Sequence, residues 1–170
     1  SPKRVPDLEF TLGTGETRSF ADYAGKWLVL YFYPKDSTPG CTRESVAFSE
    51  LAPQFKRAGA QILGASRDSQ RSHQNFTQKQ GLAFDLISDT DEAVCNAFGV
   101  IQEKTLYGRK YMGIVRSTFL IDPDGIVRFI YVTDLNVGRN PEEVIRVLDA
   151  LQTDELCPCN WKKGEETINA

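Results

Sequence analysis

Trp27, Leu28, Val29, Leu30, Tyr31, Phe32 and Tyr33 form an unbroken apolar and aromatic run. A run without polar alternation predicts a strand covered on both faces, in the middle of a sheet. Residues 8–12 alternate weakly and predict a short strand, turned by Gly13, Thr14 and Gly15. Residues 61–65 and 84–87 predict further strands. Residues 117–121 and 126–132 flank Asp122, Pro123, Asp124 and Gly125, a strong hairpin signal. Helical patterning runs from Cys41 to Arg57, with a break expected at 49–53 where Pro53 falls. It returns at 68–80, closed by Gly81, and at 91–98, with acidic residues first and Gly99 last. Asn140 caps a last helix that has Pro141 at its first position and Glu142 and Glu143 in its first turn, and that ends near Gln152. Strands and helices that alternate, followed by a hairpin and a helix, predict an α/β three-layer sandwich with a central mixed sheet. One domain is expected over 1–152, followed by a tail, 153–170.

Composition narrows the chemistry. A chain of 170 residues suits one domain. At that size it buries about 70% of its unfolded surface, so it needs no disulfide or metal to fold. Hydrophobic residues make up 41% and charged residues 25%, as in an ordinary globular protein. The net charge is −3, and no run of Lys/Arg exceeds two residues, as in Arg109-Lys110 and Lys162-Lys163. Nucleic acid is therefore not an expected partner. The apolar run at 27–33 is too short to span a membrane, and the first residues lack the apolar core of a signal peptide. Four cysteines, Cys41, Cys95, Cys157 and Cys159, are spaced unlike a disulfide framework. They read as reduced or catalytic thiols, and a cytoplasmic location is expected. The single histidine, His73, leaves no room for a His-rich metal site. It reads as a solvated helix residue, and no cofactor or metal is expected.

The informative segment is 34–44. A buried strand ends, a Pro/Gly loop turns, and Cys41 falls in the first turn of a helix. Free backbone N–H groups and the helix dipole stabilise a thiolate there. Bringing a thiol from about 8.5 to about 6 takes roughly 3.4 kcal/mol, of which a helix dipole supplies at most about 2. A cation is needed as well, and Arg116 is the candidate.

Pro34, Thr38 and Cys41 match the peroxiredoxin motif P-x-x-x-T/S-x-x-C. Residues 31–44 and 110–122 both resemble the Q-type subfamily, the bacterioferritin comigratory proteins, and the resemblance covers about 5–152. It implies a thioredoxin-like (peroxiredoxin) fold and a thiol-dependent peroxidase that reduces hydrogen peroxide and organic hydroperoxides. By the same resemblance Cys41 is the peroxidatic cysteine, which becomes a sulfenic acid. The Thr38 hydroxyl, the Cys41 backbone N–H and the Arg116 guanidinium would hold the two peroxide oxygens. Pro34 would limit water access, and Glu44 would orient Arg116.

The chain departs from the Q-type pattern at Val46, where many members carry the resolving cysteine. Its C-terminal part resembles typical 2-Cys peroxiredoxins instead. Val137, Gly138, Arg139 and Asn140 look like their V-G-R-S/N stretch, which would make Arg139 a second active-site arginine. Leu156, Cys157, Pro158, Cys159, Asn160 and Trp161 resemble their resolving segment, with cysteine at both alternative positions. Cys95 lies in an apolar helix and reads as a small buried hydrophobe. The tail is polar and expected to move. From Gln152 it reaches roughly 16–25 Å at its two cysteines, enough for Cys41 of the same chain or of another. The resemblance implies the partner chain, hence a head-to-tail homodimer, with Cys157 preferred to Cys159 and thioredoxin or a similar dithiol as reductant. The competing readings are a dithiol redox relay or a holdase chaperone that uses Cys157 and Cys159.

Overall fold

The computed structural model describes residues 3–134 and 137–168. Its frame is a five-stranded mixed sheet. The apolar run becomes β3 (Trp27–Phe32), after a short hairpin of β1 (Glu9–Thr11) and β2 (Thr17–Ser19) and a 3-10 turn at Phe20–Tyr23. Then follow α1 (Pro39–Arg57), β4 (Ala60–Ser66), α2 (Gln70–Gln80), β5 (Asp85–Ser88) and α3 (Ala93–Phe98). A second hairpin, β6 (Ile101–Leu106) and β7 (Arg109–Ile114), precedes β8 (Ser117–Ile121), β9 (Val127–Val132) and α4 (Pro141–Gln152). The sheet order is β5-β4-β3-β8-β9, with β3, β4 and β5 parallel and β8 and β9 antiparallel.

Because side chains alternate along a strand, β3 feeds two cores. Leu28, Leu30 and Phe32 pack with Phe10, Phe20, Phe98 and Phe119 on one face. Val29 and Tyr31, continued by Tyr33, pack with Phe48 and Phe55 of α1, Phe76 of α2 and Leu148 of α4 on the other. A strand buried on both sides must be apolar at every position, and this one is. The three-layer expectation holds.

Two local expectations are corrected. Helix α1 does not break at 49–53. It runs through Pro53, because Phe48 and Phe55, on either side of the proline, are both fully buried in one core. Burying two phenylalanines outweighs the roughly 3 kcal/mol that an interior proline costs. The helix also starts earlier than Cys41, at Pro39, the residue type suited to a first helical position. The β6–β7 hairpin escaped the pattern reading because its strands are largely exposed and carry no clear alternation. Its two-residue turn, Tyr107 and Gly108, has positive φ at both positions, as tight hairpins require.

The segment after α4 is folded back. Leu156 bridges Ile168, Trp161 is buried, and Arg146 of α4 donates to the Trp161 carbonyl at 3.0 Å. The mobility expected of it does not follow from its polar composition, because one large apolar side chain is enough to dock it.

Candidate functional site

The site forms where β3 ends and α1 begins. Thr38 is the N-cap of α1, Pro39 its first residue, and Cys41 lies in its first turn, with the Thr42 N–H already bonded to the Thr38 carbonyl at 2.8 Å. The Cys41 side chain is buried, 1% exposed. The Thr38 hydroxyl donates to the Lys35 carbonyl at 3.2 Å, and Thr38 and Pro34 are both half-buried.

Arg116 enters from the other side of the sheet sequence, just before β8. Since β8 pairs with β3, the start of β8 lies beside the end of β3, which places this arginine over the first turn of α1. Its Nη1 is 3.5 Å from Cys41 Sγ and 2.7 Å from Glu44 Oε2. Gly40 makes the approach possible, since a Cβ there would stand 3.3 Å from Arg116 Nη2. Glu44 follows Cys41 by nearly one helical turn and shares its inward face. It is also held from behind, its Oε1 accepting from the Arg139 N–H at 2.9 Å and its Oε2 lying 3.2 Å from Arg139 Nε.

Arg139 is enclosed, 7% exposed. Its Nη1 donates to the Ser117 carbonyl and to Thr118 Oγ1, both at 2.9 Å, and its Nη2 donates to the Phe32 carbonyl. The guanidinium stacks 5.0 Å above the Tyr31 ring. Burial pulls its proton affinity down, and the facing Glu44 carboxylate opposes that pull. The two arginines therefore differ in place: Arg116 meets the sulfur, and Arg139 fixes the carboxylate that holds Arg116.

The other cysteines stand apart in character. Cys95 is fully buried in α3, with its N–H donating to Asp89 Oδ2 at 2.7 Å. Burial, then the Asp89 hydrogen bond and charge, push its thiol far above the usual range. Cys157 is half-buried and Cys159 exposed, and all four cysteines are free thiols. Both tail cysteines border an open groove of about 550 Å³ with Arg128 and Arg146.

His73 corrects the reading of a solvated helix residue: it is fully buried, with Nδ1 2.7 Å from Asp36 Oδ2. No sequence motif marked it, because its partner lies 37 residues away. Among the described residues, Asp36, Asp68 and His73 are the one grouping with metal-ligand character. Their polar atoms are engaged with one another and with Tyr33, Ser66 and Ser72 as hydrogen-bond partners. Among those residues, too, no helix is long and apolar enough to cross a membrane.

Residues 2–130 match the AhpC/TSA family. The chain belongs to that family and is a peroxiredoxin. This peroxiredoxin is 56% identical over 126 residues to Peroxiredoxin Bcp of Xanthomonas campestris, covering 74% of this chain and 79% of that one. It is also similar to a solved structure of Xanthomonas campestris Peroxiredoxin Q, at 50% identity and a TM-score of 0.77, covering 86% and 90% of the two chains. Those likenesses make it Q-type. Over nearly its whole length, 98% of this chain and 82% of the other, it is 41% identical to alkyl hydroperoxide reductase C of Mycolicibacterium smegmatis. The match to Peroxiredoxin Bcp stops short of the full length, while the match to alkyl hydroperoxide reductase C continues across nearly all of it. As a peroxiredoxin it is a thiol peroxidase, an oxidoreductase whose substrate is a peroxide.

Proposed function

We propose that Cys41 is the peroxidatic cysteine and that Arg116, Thr38, Pro34, Glu44 and Arg139 form its working environment. The observation that carries this reading is the Arg116 guanidinium, 3.5 Å from a buried sulfur at a helix N-terminus and locked there by a buried carboxylate. The Cys41 thiolate attacks one peroxide oxygen. The S–O bond forms as the O–O bond breaks, sulfur loses two electrons, and the displaced oxygen takes a proton to leave as water or alcohol. Arg116 and the free N–H groups of the first turn stabilise charge on that oxygen. Thr38, whose hydroxyl donates to the Lys35 carbonyl, keeps its oxygen lone pairs for a further polar contact, and Pro34 shields the sulfur from water.

A tail thiol, Cys157 or Cys159, then attacks the sulfenic sulfur, releasing water and forming a disulfide. An external dithiol of the thioredoxin kind reduces that disulfide by exchange and is itself oxidised. In this reading residues 1–152 are the catalytic domain, 153–170 carry the resolving thiols, the disulfide joins the two chains of a homodimer, and the enzyme works in the cytoplasm. Stopped-flow mixing of reduced protein with hydrogen peroxide or an organic hydroperoxide tests the core of the proposal. The wild type is expected to react far faster than free cysteine and Cys41→Ser not at all. Rapid consumption by Cys41→Ser would reject the assignment.

A further inference from the structure

His73 is the one histidine of the chain, fully buried, and no step of the peroxidase reaction uses it. Its ring lies between two acceptors. Nε2 is 2.8 Å from the Ile87 carbonyl of β5, and Nδ1 is 2.7 Å from Asp36 Oδ2. A carbonyl can only accept, so Nε2 carries a proton. Two lone pairs cannot face each other at 2.7 Å, so the line from Nδ1 to Asp36 carries a second one. A neutral imidazole beside an ionised carboxylate would supply only one.

Asp36 itself is 4% exposed. Its Oδ1 accepts from the Tyr33 hydroxyl at the end of β3, its Oδ2 accepts from Ser72 of α2 at 2.9 Å, and its N–H donates to Asp68 Oδ2 at 2.9 Å. The turn at Gly13 closes over the imidazole, where a Cβ would come within 2.7 Å of His73 Cβ. The groups that face the pair are thus Tyr33 from β3, Asp68 and Ser66 from the end of β4, Ser72 from α2, the Ile87 carbonyl from β5 and the Gly13 backbone. Among the described residues that hydrogen-bond around the pair, Asp68 is the one formally charged group beyond the pair itself.

Asp36 stands between Pro34 and Thr38, in the loop that leads to Cys41. The next residue, Ser37, is left-handed with φ 62°, so the chain bends sharply directly after the pinned carboxylate. Cys41 is buried in the first helical turn, so forming any disulfide requires that turn to open. An opening segment needs a stationary boundary. We propose that the His73–Asp36 pair, holding a proton on each of its two ring lines, is that boundary. It positions Thr38 and Cys41 for peroxide, and the residues beyond Ser37 open from it. His73 is a positioning residue in this scheme, acting through Asp36.

The inference rests on Cys41 being the reacting sulfur. Reduced full-length protein labelled with ¹⁵N-histidine gives one pair of ring signals, because there is one histidine. Each ring nitrogen is expected to show a proton on its line, the Asp36 line by sharing if need be, in the folded protein. Stopped-flow fluorescence with hydrogen peroxide then separates oxidation of Cys41 from the disulfide step. His73→Gln and Asp36→Asn are expected to slow oxidation by about tenfold to a hundredfold, since a small displacement of reacting groups is that costly. The disulfide step should be unchanged or faster. A merely structural role would slow both steps together. Should either variant fail to fold, Ser72→Ala, which removes one donor to Asp36, is expected to show the same split at about threefold. A ring nitrogen with no proton on its line overturns the proposal, as does an equal change in both steps, or unchanged oxidation in folded variants. Peroxide consumption by Cys41→Ser overturns the proposed function instead, and it leaves the ring signals as the measure of the pair.

Discussion

Glu44 Oε2 lies 2.7 Å from Arg116 Nη1, and the carboxylate is 4% exposed. Its other oxygen is taken by the backbone of Arg139, so one buried negative charge serves two guanidinium groups. Replacing it with a neutral isostere leaves two cations facing each other with little solvent. Glu44→Gln is expected to destabilise the fold by about 3–5 kcal/mol in urea unfolding, the usual scale for breaking a buried ion pair. Peroxide reduction should slow as well, because Arg116 loses its fixed position. A variant with wild-type midpoint and rate would contradict this account of Glu44.

Arg116→Ala is expected to behave in the opposite proportion. Glu44 still has Arg139, so the stability loss should stay near 1–3 kcal/mol. The reaction with peroxide should fall by about 10²–10³-fold, the range for removing one preorganised donor from a developing oxyanion. Rate constants from stopped flow beside urea midpoints make the comparison. A near-wild-type rate would remove Arg116 from the mechanism.

The tail carries a third prediction. After one equivalent of hydrogen peroxide, wild type and Cys95→Ser are expected to run as covalent dimers on non-reducing gels. The Cys157→Ser/Cys159→Ser double variant is expected to stay monomeric. Trp161 docks the tail, with its Nε1 donating to the Glu165 carbonyl at 3.1 Å. Trp161→Ala should therefore free the segment and speed the disulfide step. A covalent dimer in the double variant would place the resolving thiol elsewhere.

Cys95 makes a pH prediction. Its thiol is pushed upward in the folded protein, chiefly by burial and then by Asp89. In the unfolded chain the same thiol ionises near 8.5. Above that pH the unfolded state binds fewer protons than the folded one, so stability falls as pH rises, by up to about 1.4 kcal/mol per pH unit for this group. The buried Tyr31 and Tyr33, also shifted upward mainly by burial, add to the same trend above about 10. Urea midpoints should decline from pH 8.5 upward, and less steeply in Cys95→Ala. Iodoacetamide at pH 8.5 should modify Cys159 readily and leave Cys95 intact in the native protein, as peptide mass spectrometry would show.

Local signals determined much of this protein. The unbroken run at 27–33 had to be a strand buried on both faces, and Pro34, Thr38 and Cys41 belong to one short loop and the turn that follows it. Asn140 and Pro141 mark the start of α4 within a few residues, and there the Asn140 side chain accepts from the Glu142 N–H. Such features are legible because cap, turn and strand chemistry act over a few bonds. Tertiary structure made the distant contacts, for which the sequence names Arg116 and Arg139 but not His73. Arg116 meets Cys41 across 75 residues, Arg139 meets Glu44 across 95, and His73 meets Asp36 across 37. No spacing encodes those meetings, since they arise when β8 pairs with β3 and α2 packs against the loop that β3 feeds. Polar residues reveal burial only through such partners: a histidine on a mostly polar helix reads as solvated until the carboxylate and carbonyl that replace its water are folded against it.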